Sequence, residues 1–202
     1  MQLRSVPIGY PCVIKRTGET FTPKYRGGHF TLGTPRVMPL NNQCEVIMQY
    51  SFDDLKRLIE SVTQEMDVIR PGMYDRRFTN LALMLAAHES HAGLMRVQMG
   101  GGPARGLFGF EELTHDSVWQ HSDTIGRTSV DMGITADFKR MEDGDRYAIF
   151  MCRHRIAMDT AALPYGDVQC AQYAKRYWNS PKGKATTEKY LNDYNLFKEG
   201  RL

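Results

Sequence analysis

The amino-acid sequence predicts a mainly α-helical domain preceded by an irregular N-terminal arm. From Ser51 onward, apolar residues recur at intervals of three and four, which is typical of amphipathic helices. Proline and glycine residues end these runs, as they do at helix termini. The first 50 residues instead hold five of the nine prolines, and proline disfavours long helices. We therefore expect an arm over residues 1–50 and one helical domain over residues 51–202.

The arm is rich in proline and glycine, and its basic residues outnumber its acidic residues. Short extended pieces are expected at 12–15 and 44–50. Two interpretations of this segment stay open. It either packs as a loop-rich layer on its own domain, or it is a docking segment held by another protein.

Six helices are expected in the domain. The first begins at a Ser51 cap, with Asp54 as a capping-box partner, and stops at Pro71-Gly72. The second is almost wholly apolar over 81–87, so we expect it to be the buried central helix. Thr114 is the expected cap of a short third helix. The expected positions are 51–69, 75–90, from 114, 145–163, 167–178 and 186–199, with a glycine-rich loop or small hairpin over 99–110 and a loop after the third helix.

Composition argues against several classes of protein. The chain has 202 residues, of which 42% are hydrophobic, so it can build a substantial core. Its net charge of +3 comes from scattered basic residues without a recognition motif, which argues against nucleic-acid binding. No apolar run approaches the ~18 residues of a membrane span, and the N-terminus lacks the pattern of a signal peptide. The four cysteines have no metal-ligand spacing, and we expect all of them to be reduced.

Glu89 is the candidate catalytic residue. It continues an apolar stripe along one face of the second helix, formed by Leu81, Ala82, Leu85 and Ala86. A carboxylate in that position is costly unless it is paired or kept neutral. Apolar surroundings favour the protonated form, so such a group can serve as an acid near neutral pH. The plain alternative is a helix-end glutamate whose charge a partner satisfies.

The residues that follow Glu89 extend this feature into a longer pattern. Glu89-Ser90 closes a helix, Gly106-Leu107-Phe108 forms a turn, and Thr114 opens the next helix. This pattern resembles the lytic transglycosylase and goose-type lysozyme superfamily, in particular its phage-encoded, virion-associated branch. The segment over 171–184 also resembles phage proteins of this kind. Gly109 stands where the family usually has glutamine, which affects the substrate contact made from this turn.

The resemblance implies a lysozyme-like helical domain that cleaves peptidoglycan between N-acetylmuramic acid and N-acetylglucosamine. Glu89 would serve as the single general acid and base. In a lytic transglycosylase the nucleophile is the sugar's own primary hydroxyl, whereas an inverting hydrolase needs a second carboxylate about 6.5–9.5 Å from the first. The candidates for a second carboxylate are Glu111, Glu112, Asp116 and Asp131. The candidate substrate-binding residues are Ser90, Gly106, Leu107, Phe108, Phe110, Glu111, Thr114, Trp119 and Tyr147.

The resemblance also implies the partners and the location of the protein. We expect it to bind peptidoglycan glycan strands and, through the arm, other phage virion proteins. The phage particle is the expected location, and the bacterial periplasm or cell wall is the expected site of action. Neither a cofactor nor a metal is expected. Arg153, His154 and Arg155 interrupt an apolar helix, and we expect a solvated face there rather than contacts with peptide carboxylates.

Two other classes of function stay open. The first is a non-catalytic structural virion protein on a lysozyme-like scaffold. The second is a zinc-dependent peptidoglycan peptidase or amidase, because His88, His91, His115 and His121 cluster in the sequence. The metalloprotease spacing His-Glu-x-x-His is absent, since Ala92 stands where the second histidine would fall.

Overall fold

A computed structural model of the chain is mainly helical, which confirms the predicted fold class. It describes residues 49–98, 101–179 and 183–202, together with the backbone of four short strands between residues 12 and 31. Contacts divide the chain into two compact units, Met1–Gln49 and Tyr50–Leu202.

The first unit contains two antiparallel strand pairs. Strand β1 (Cys12–Val13) pairs with β2 (Thr20–Phe21), and β3 (Lys24–Arg26) pairs with β4 (His29–Thr31). The extended piece expected at 12–15 is therefore confirmed for its first two residues, and the other three strands were not expected. The second expected piece, 44–50, lies outside the described residues up to position 48, and residues 49 and 50 belong to no strand.

The second unit is built around a central helix. Its helices are α1 (Phe52–Ile69), α2 (Arg76–Ser90), α3 (Glu112–His121), α4 (Ile125–Asp131), α5 (Asp145–Ala157), α6 (Gly166–Tyr173) and α7 (Thr187–Lys198). A 3₁₀ turn at Phe138–Met141 precedes α5, and a π-helical segment at Ala174–Trp178 continues α6. The central helix is α2, which packs against α1, α5, α6 and α7. The prediction that α2 is buried is confirmed, since every residue over 81–87 is fully buried.

Helix α1 begins and ends where its sequence signals indicate. Ser51 Oγ accepts a hydrogen bond of 3.1 Å from the Asp54 amide, which satisfies one of the free amides of the first turn. After Ile69 the chain turns at Pro71-Gly72, and Asp67 Oδ1 accepts a hydrogen bond of 2.8 Å from the Gly72 amide. The buried face of α1 consists of Leu55, Ile59, Val62, Thr63 and Met66.

The turn that ends α2 is tightly constrained. His91 and Ala92 both have left-handed backbone conformations, with φ of 47° and 52°, and Gly93 follows with φ of 93°. The amide of Ala92 donates to the carbonyl of Ala86 at 2.9 Å, which closes the helix end. The carbonyl of Ala92 in turn accepts from the amide of Tyr50 at 2.9 Å. The start of the second unit is thus fastened to the end of the central helix.

The glycine-rich segment forms the predicted small hairpin. The backbone groups of Arg105 and Phe110 exchange hydrogen bonds of 2.8 and 2.9 Å, which closes a turn over residues 106–109. We call these four residues the glycine turn. Gly106 and Gly109 have φ of 77° and 61°, a region that favours glycine. An added Cβ at Gly106 would also stand 1.9 Å from the Met141 carbonyl oxygen, so only glycine lets the turn pack there.

Two helix boundaries differ from the sequence predictions, and one helix was not expected. Helix α3 begins after Glu111, so Thr114 lies inside it and is not its cap. Helix α4 occupies a stretch that was expected to be a loop. Its seven residues are too few to show the periodic spacing of apolar residues that predicts a helix. Helix α5 ends at Ala157 rather than near 163. The carboxylate of Asp159 accepts hydrogen bonds from the side chains of Arg155 and Tyr173, which holds the chain away from the helix axis.

The expectation of a solvated face at the end of α5 is wrong for two of its three residues. Arg153 is buried and donates hydrogen bonds of 2.7 Å to the carbonyls of Gly72 and Met73. His154 is fully buried, with Nδ1 lying 2.6 Å from Thr124 Oγ1. Burial lowers the pKa of His154 to about 3, so its ring is neutral. Both side chains therefore hold neighbouring segments in place.

The described helices show no segment able to cross a lipid bilayer, because none is both long and apolar enough. Cys152 and Cys170 are buried free thiols. The side chains of the other two cysteines lie outside the described part of the chain.

Candidate functional site

A cavity of about 620 Å³ lies beside the C-terminal end of α2. Small-ligand clefts have volumes of roughly 300–1,000 Å³, so this one is large enough for part of a polymer. It is lined by α2, the hairpin with its glycine turn, the start of α3, α5, the π-helical segment and the residues before α7. The lining residues are His88, Glu89, Gln98, Ala104, Gly109, Phe110, Glu111, Thr114, Arg155, Trp178, Asn179, Gly183, Lys184 and Ala185.

Glu89 lies in the last turn of α2 and is half-buried at the cavity wall. Its Oε1 accepts a hydrogen bond of 2.9 Å from the hydroxyl group of Tyr190 on α7. No cationic side chain of the described residues forms an ion pair with Glu89. Burial raises the pKa of Glu89 to about 7, and the Tyr190 hydrogen bond and the charge of Lys189 only partly offset that rise. Near neutral pH the carboxyl group therefore exchanges between its protonated and ionised forms.

The glycine turn approaches this carboxyl group closely. An ideal Cβ at Gly109 would stand 2.9 Å from Glu89 Oε2 and 3.4 Å from Glu89 Cβ. A side chain at position 109 would therefore push the carboxyl group from its position. Gly109 is thus the residue whose lack of a side chain gives the Glu89 carboxyl group its space.

Ser90 is a positioning residue and not the substrate contact that the sequence predicted. It is fully buried, and the lining residues of the described cavity do not include it. Its hydroxyl group donates to the carbonyl of Leu107 at 2.7 Å and accepts from the amide of Gly93 at 2.9 Å. Ser90 thus ties the end of α2 to the glycine turn, which fixes Gly109 beside Glu89.

The other candidate binding residues divide into two groups. Phe110, Glu111 and Thr114 line the cavity, as a binding role requires. The prediction is wrong for residues 106–108, which are buried and do not belong to the lining that the structure describes. Gly106 instead packs on the 3₁₀ turn, and the side chains of Leu107 and Phe108 are fully buried.

Trp119 and Tyr147 also lie away from the described lining of the cavity, because their polar atoms belong to a network between α3 and α5. The Tyr147 hydroxyl oxygen accepts from Trp119 Nε1 at 3.0 Å and from the Asp137 amide at 3.1 Å. Its proton is therefore donated to His115 Nε2, which lies 2.7 Å away. His115 Nδ1 then donates to Asp116 at 2.9 Å. The network braces α3. Tyr147 is fully buried in it, so its predicted substrate contact is corrected to a structural one, whereas the contact of the half-buried Trp119 stays a prediction.

Of the four candidates for a second carboxylate, only Glu111 belongs to the described cavity lining. Glu112 is exposed on α3, and Asp116 is held by His115. Asp131 pairs with Arg127 on the surface of α4 at 3.3 Å. Glu111 is therefore the acidic side chain that can act on the same bound molecule as Glu89.

The sequence did not identify Trp178, which with Phe110 forms an aromatic wall of the cavity. Trp178 lines it and packs edge-on against Phe110, with ring centroids 5.3 Å apart. It is presented by the π-helical segment, in which the amide of Asn179 donates to the carbonyl of Ala174 at 2.9 Å. This five-residue step shifts the helix phase, so a pattern with a period of 3.6 does not predict which face Trp178 occupies. Trp178 and Asn179 belong to the segment over 171–184 that resembles phage proteins. That resemblance was the one sequence signal that could have drawn attention to Trp178.

His88 also lines the cavity, next to Glu89. Its Nδ1 lies 2.8 Å from Asp193 Oδ2, and its ring packs on that of Tyr190 with centroids 4.0 Å apart. Burial lowers the pKa of His88, which favours the neutral imidazole. The four histidines that suggested zinc do not converge: in the described ranges there is no group of three or more His, Cys, Asp or Glu side chains placed to hold a metal ion.

Comparison with protein-family models, with curated proteins and with solved structures yields no significant match to this chain.

Proposed function

We propose that the protein cleaves peptidoglycan glycan strands at the bond between N-acetylmuramic acid and N-acetylglucosamine, as a lytic transglycosylase or a muramidase. The observation that carries the proposal is the carboxyl group of Glu89. It lies at the wall of a cavity, its pKa is about 7, and its hydrogen-bond partner among the described residues is a neutral phenol. A general acid works best when its pKa is close to the working pH.

The two oxygens of Glu89 have different partners, which assigns the acidic proton. Oε1 accepts the Tyr190 hydrogen bond, so the proton of the acid form resides on Oε2. Oε2 faces Gly109, whose missing side chain leaves room for a ligand oxygen beside it. The acid form donates this proton to the glycosidic oxygen while the bond between that oxygen and the anomeric carbon breaks. Glu89 leaves this step as a carboxylate.

The carboxylate then serves as the base of the second step. It takes a proton from a hydroxyl group whose oxygen forms a new bond to the anomeric carbon. If that hydroxyl is the primary hydroxyl of the same sugar, the product is an anhydro sugar and one carboxylate suffices. If it belongs to water, Glu111 is the residue of the described cavity that can orient the water. Trp178, which is half-buried, provides an apolar face for a sugar ring, and the buried ring of Phe110 supports it.

The proposal is tested with Glu89→Gln on purified cell walls. Glutamine has nearly the shape of glutamate but neither donates nor accepts the proton in the reaction. We expect turbidity loss to slow at least about 100-fold, the size of a general acid–base contribution. Glu112→Gln is the matched control, since Glu112 is exposed on α3 outside the described cavity lining, and it should retain wild-type activity. Full lysis by Glu89→Gln would refute the assignment.

Mass spectrometry of the released muropeptides identifies the reaction. An anhydro end indicates transglycosylation, and a reducing end indicates hydrolysis. If the wild-type protein releases no fragments but is present in phage particles, the non-catalytic structural alternative replaces the enzyme.

The proposed setting is a phage particle, in which residues 1–50 hold the protein to other virion proteins. This part of the proposal is supported by the resemblance and by the basic, proline-rich composition of the arm. Cross-linking mass spectrometry of purified particles tests it. Cross-links from Lys15 and Lys24 to other virion proteins are expected, and their absence from particles that contain the protein would contradict a docking role.

A further inference from the structure

We infer that Arg155 and Lys184 form a carboxylate-binding subsite in the cavity, which selects glycan that carries acidic substituents over neutral glycan. The inference rests on the proposed function and specifies the substrate of that site. Muramic acid differs from glucosamine by a lactyl group, which bears a carboxylate or a peptide with carboxylates. A neutral polymer of N-acetylglucosamine has neither.

Arg155 is held in place before any ligand binds. One terminal nitrogen donates to Asp159 Oδ1 at 3.2 Å, and the other donates to the carbonyl of Tyr177 at 3.1 Å. Asp159 is itself fixed by the hydroxyl group of Tyr173 at 2.8 Å. An anchored guanidinium loses little conformational entropy when it binds a carboxylate.

Arg155 also has donors to spare. A guanidinium has five N–H groups, and the hydrogen bonds above use two of them. Its side chain is 26% exposed and lines the cavity, whereas Asp159 is 17% exposed and is not part of the described lining. The counter-ion is therefore outside the described lining, and the remaining donors of Arg155 are available to a ligand.

Lys184 adds a second positive charge from a different element. It is exposed at the cavity, in the stretch before α7, and its ammonium forms no hydrogen bond or ion pair with the residues that the structure describes. The two acidic residues of the lining, Glu89 and Glu111, belong instead to α2 and to the start of α3. The two basic residues of the lining thus come from α5 and the stretch before α7, and the two acidic residues come from α2 and the start of α3. A substrate with a carboxylate at a distance from its scissile bond matches this division.

The inference is tested by calorimetric binding in the Glu89→Gln background, so that no ligand is cleaved. Three tetrasaccharides of equal length are compared. The first alternates N-acetylglucosamine with N-acetylmuramic acid, the second is the same molecule with its carboxyl groups converted to amides, and the third is tetra-N-acetylglucosamine.

We expect Arg155→Gln to weaken binding of the acidic tetrasaccharide about tenfold, because the variant loses the charge-assisted hydrogen bonds to the carboxylate. Binding of the amide and of the neutral tetrasaccharide should change less than about twofold. Lys184→Gln should act in the same direction, and because its side chain is exposed, it tests the inference if Arg155→Gln fails to fold. Arg146→Gln is the matched control, since Arg146 is on the same helix and pairs with Glu65 away from the described lining.

Equal losses for all three ligands would overturn the inference, as would unchanged binding in both variants or no binding of the acidic ligand by the parent protein. These outcomes differ from failure of the proposed function. A wild-type protein that leaves peptidoglycan intact but prefers the acidic ligand through Arg155 would refute the catalytic proposal alone.

Discussion

The hydroxyl group of Tyr190 donates a 2.9 Å hydrogen bond to Oε1 of Glu89 and so joins α7 to the end of α2. This contact favours the ionised carboxylate, whereas burial favours the neutral acid. The pKa of Glu89 is set by the difference between these two opposing effects. Because burial is the larger effect, the carboxyl group still holds a proton near neutral pH.

Tyr190→Phe should therefore raise the pKa of Glu89. A hydrogen bond to a charged group contributes ~1.5–3 kcal/mol and one pH unit corresponds to 1.36 kcal/mol, so we expect a rise of about one to two pH units. The alkaline limb of the pH profile of kcat/KM should move upward by that amount, since the acid form persists to higher pH. Tyr194→Phe is the control, because Tyr194 is buried one turn further along α7 and has no hydrogen bond to Glu89. An unmoved alkaline limb would contradict this electrostatic role.

Gly109→Ala should reduce both stability and activity. A non-glycine residue in the left-handed region costs about 1–2 kcal/mol, and φ at position 109 is 61°. The new methyl group would also displace the carboxyl group of Glu89, and a misplacement of about 1 Å can lower the rate about 100-fold. Gly133→Ala separates the two effects, because Gly133 has φ of 63° with nothing within 4 Å of its added Cβ. Gly133→Ala should lose similar stability and keep wild-type kcat/KM. Equal kcat/KM in the two variants would contradict the proposed displacement of the Glu89 carboxyl group.

The stability gain from Glu89→Gln should depend on pH. The pKa of Glu89 rises from an ordinary 4.5 to about 7 in the folded protein, so folding favours the protonated form. The stabilisation from this proton is present below about pH 4.5 and is lost as the pH rises through 7. Glutamine does not titrate, so the variant should gain stability relative to wild type between pH 5 and pH 8. Urea unfolding at the two pH values measures this change, and a constant difference would show that Glu89 is ionised throughout.

Glu111→Gln should affect the two possible reactions differently. If the products are hydrolytic, loss of the carboxylate that orients the water should lower kcat about 100-fold. If the products are anhydro sugars, one carboxylate suffices and the variant should stay within a few-fold of wild type. Muropeptide mass spectrometry on both proteins shows which case applies. Hydrolytic products from a fully active Glu111→Gln would remove Glu111 from the mechanism.

His91→Gly should stabilise the protein by about 1 kcal/mol, because glycine adopts the left-handed conformation without the steric cost of a Cβ. His91 has φ of 47° and ψ of 55° at the end of α2. His91→Ala keeps the Cβ and removes the imidazole ring, so it should show no gain in chemical denaturation. A gain in the alanine variant would attribute the effect to the imidazole.

Much of the helical fold could be predicted because its signals are local. The Ser51 cap and the Pro71-Gly72 stop act on their own helix, and α1 and α7 begin and end within a residue or two of the expected positions. Helix α5 was predicted too long because its end depends on Asp159, whose partner Tyr173 lies on another helix. The pairing of β3 with β4 was missed, although Gly27-Gly28 between them is a hairpin signal.

The candidate site was predictable only near Glu89. The apolar stripe of α2 identified Glu89 from its neighbours on the helix. Phe110, Glu111 and Thr114 were identified because they lie in or next to the motif that follows Glu89 in the sequence. Tyr190 could not be assigned, because it is 101 residues away and its role depends on how α7 packs on α2. Tyr147 was misassigned because a sequence does not show that its hydroxyl group meets His115 in the core.

The π-helical segment at Ala174–Trp178 makes the cavity sensitive to the number of residues in the chain as well as to their identity. Removing one residue there would restore ordinary α-helical pairing and rotate Trp178 by about 100° around the helix axis. The aromatic wall that Trp178 forms with Phe110 would then be lost, although Glu89 and Glu111 would be chemically intact. Substitutions along this segment can be absorbed one by one, whereas a deletion or an insertion changes the register of everything that follows.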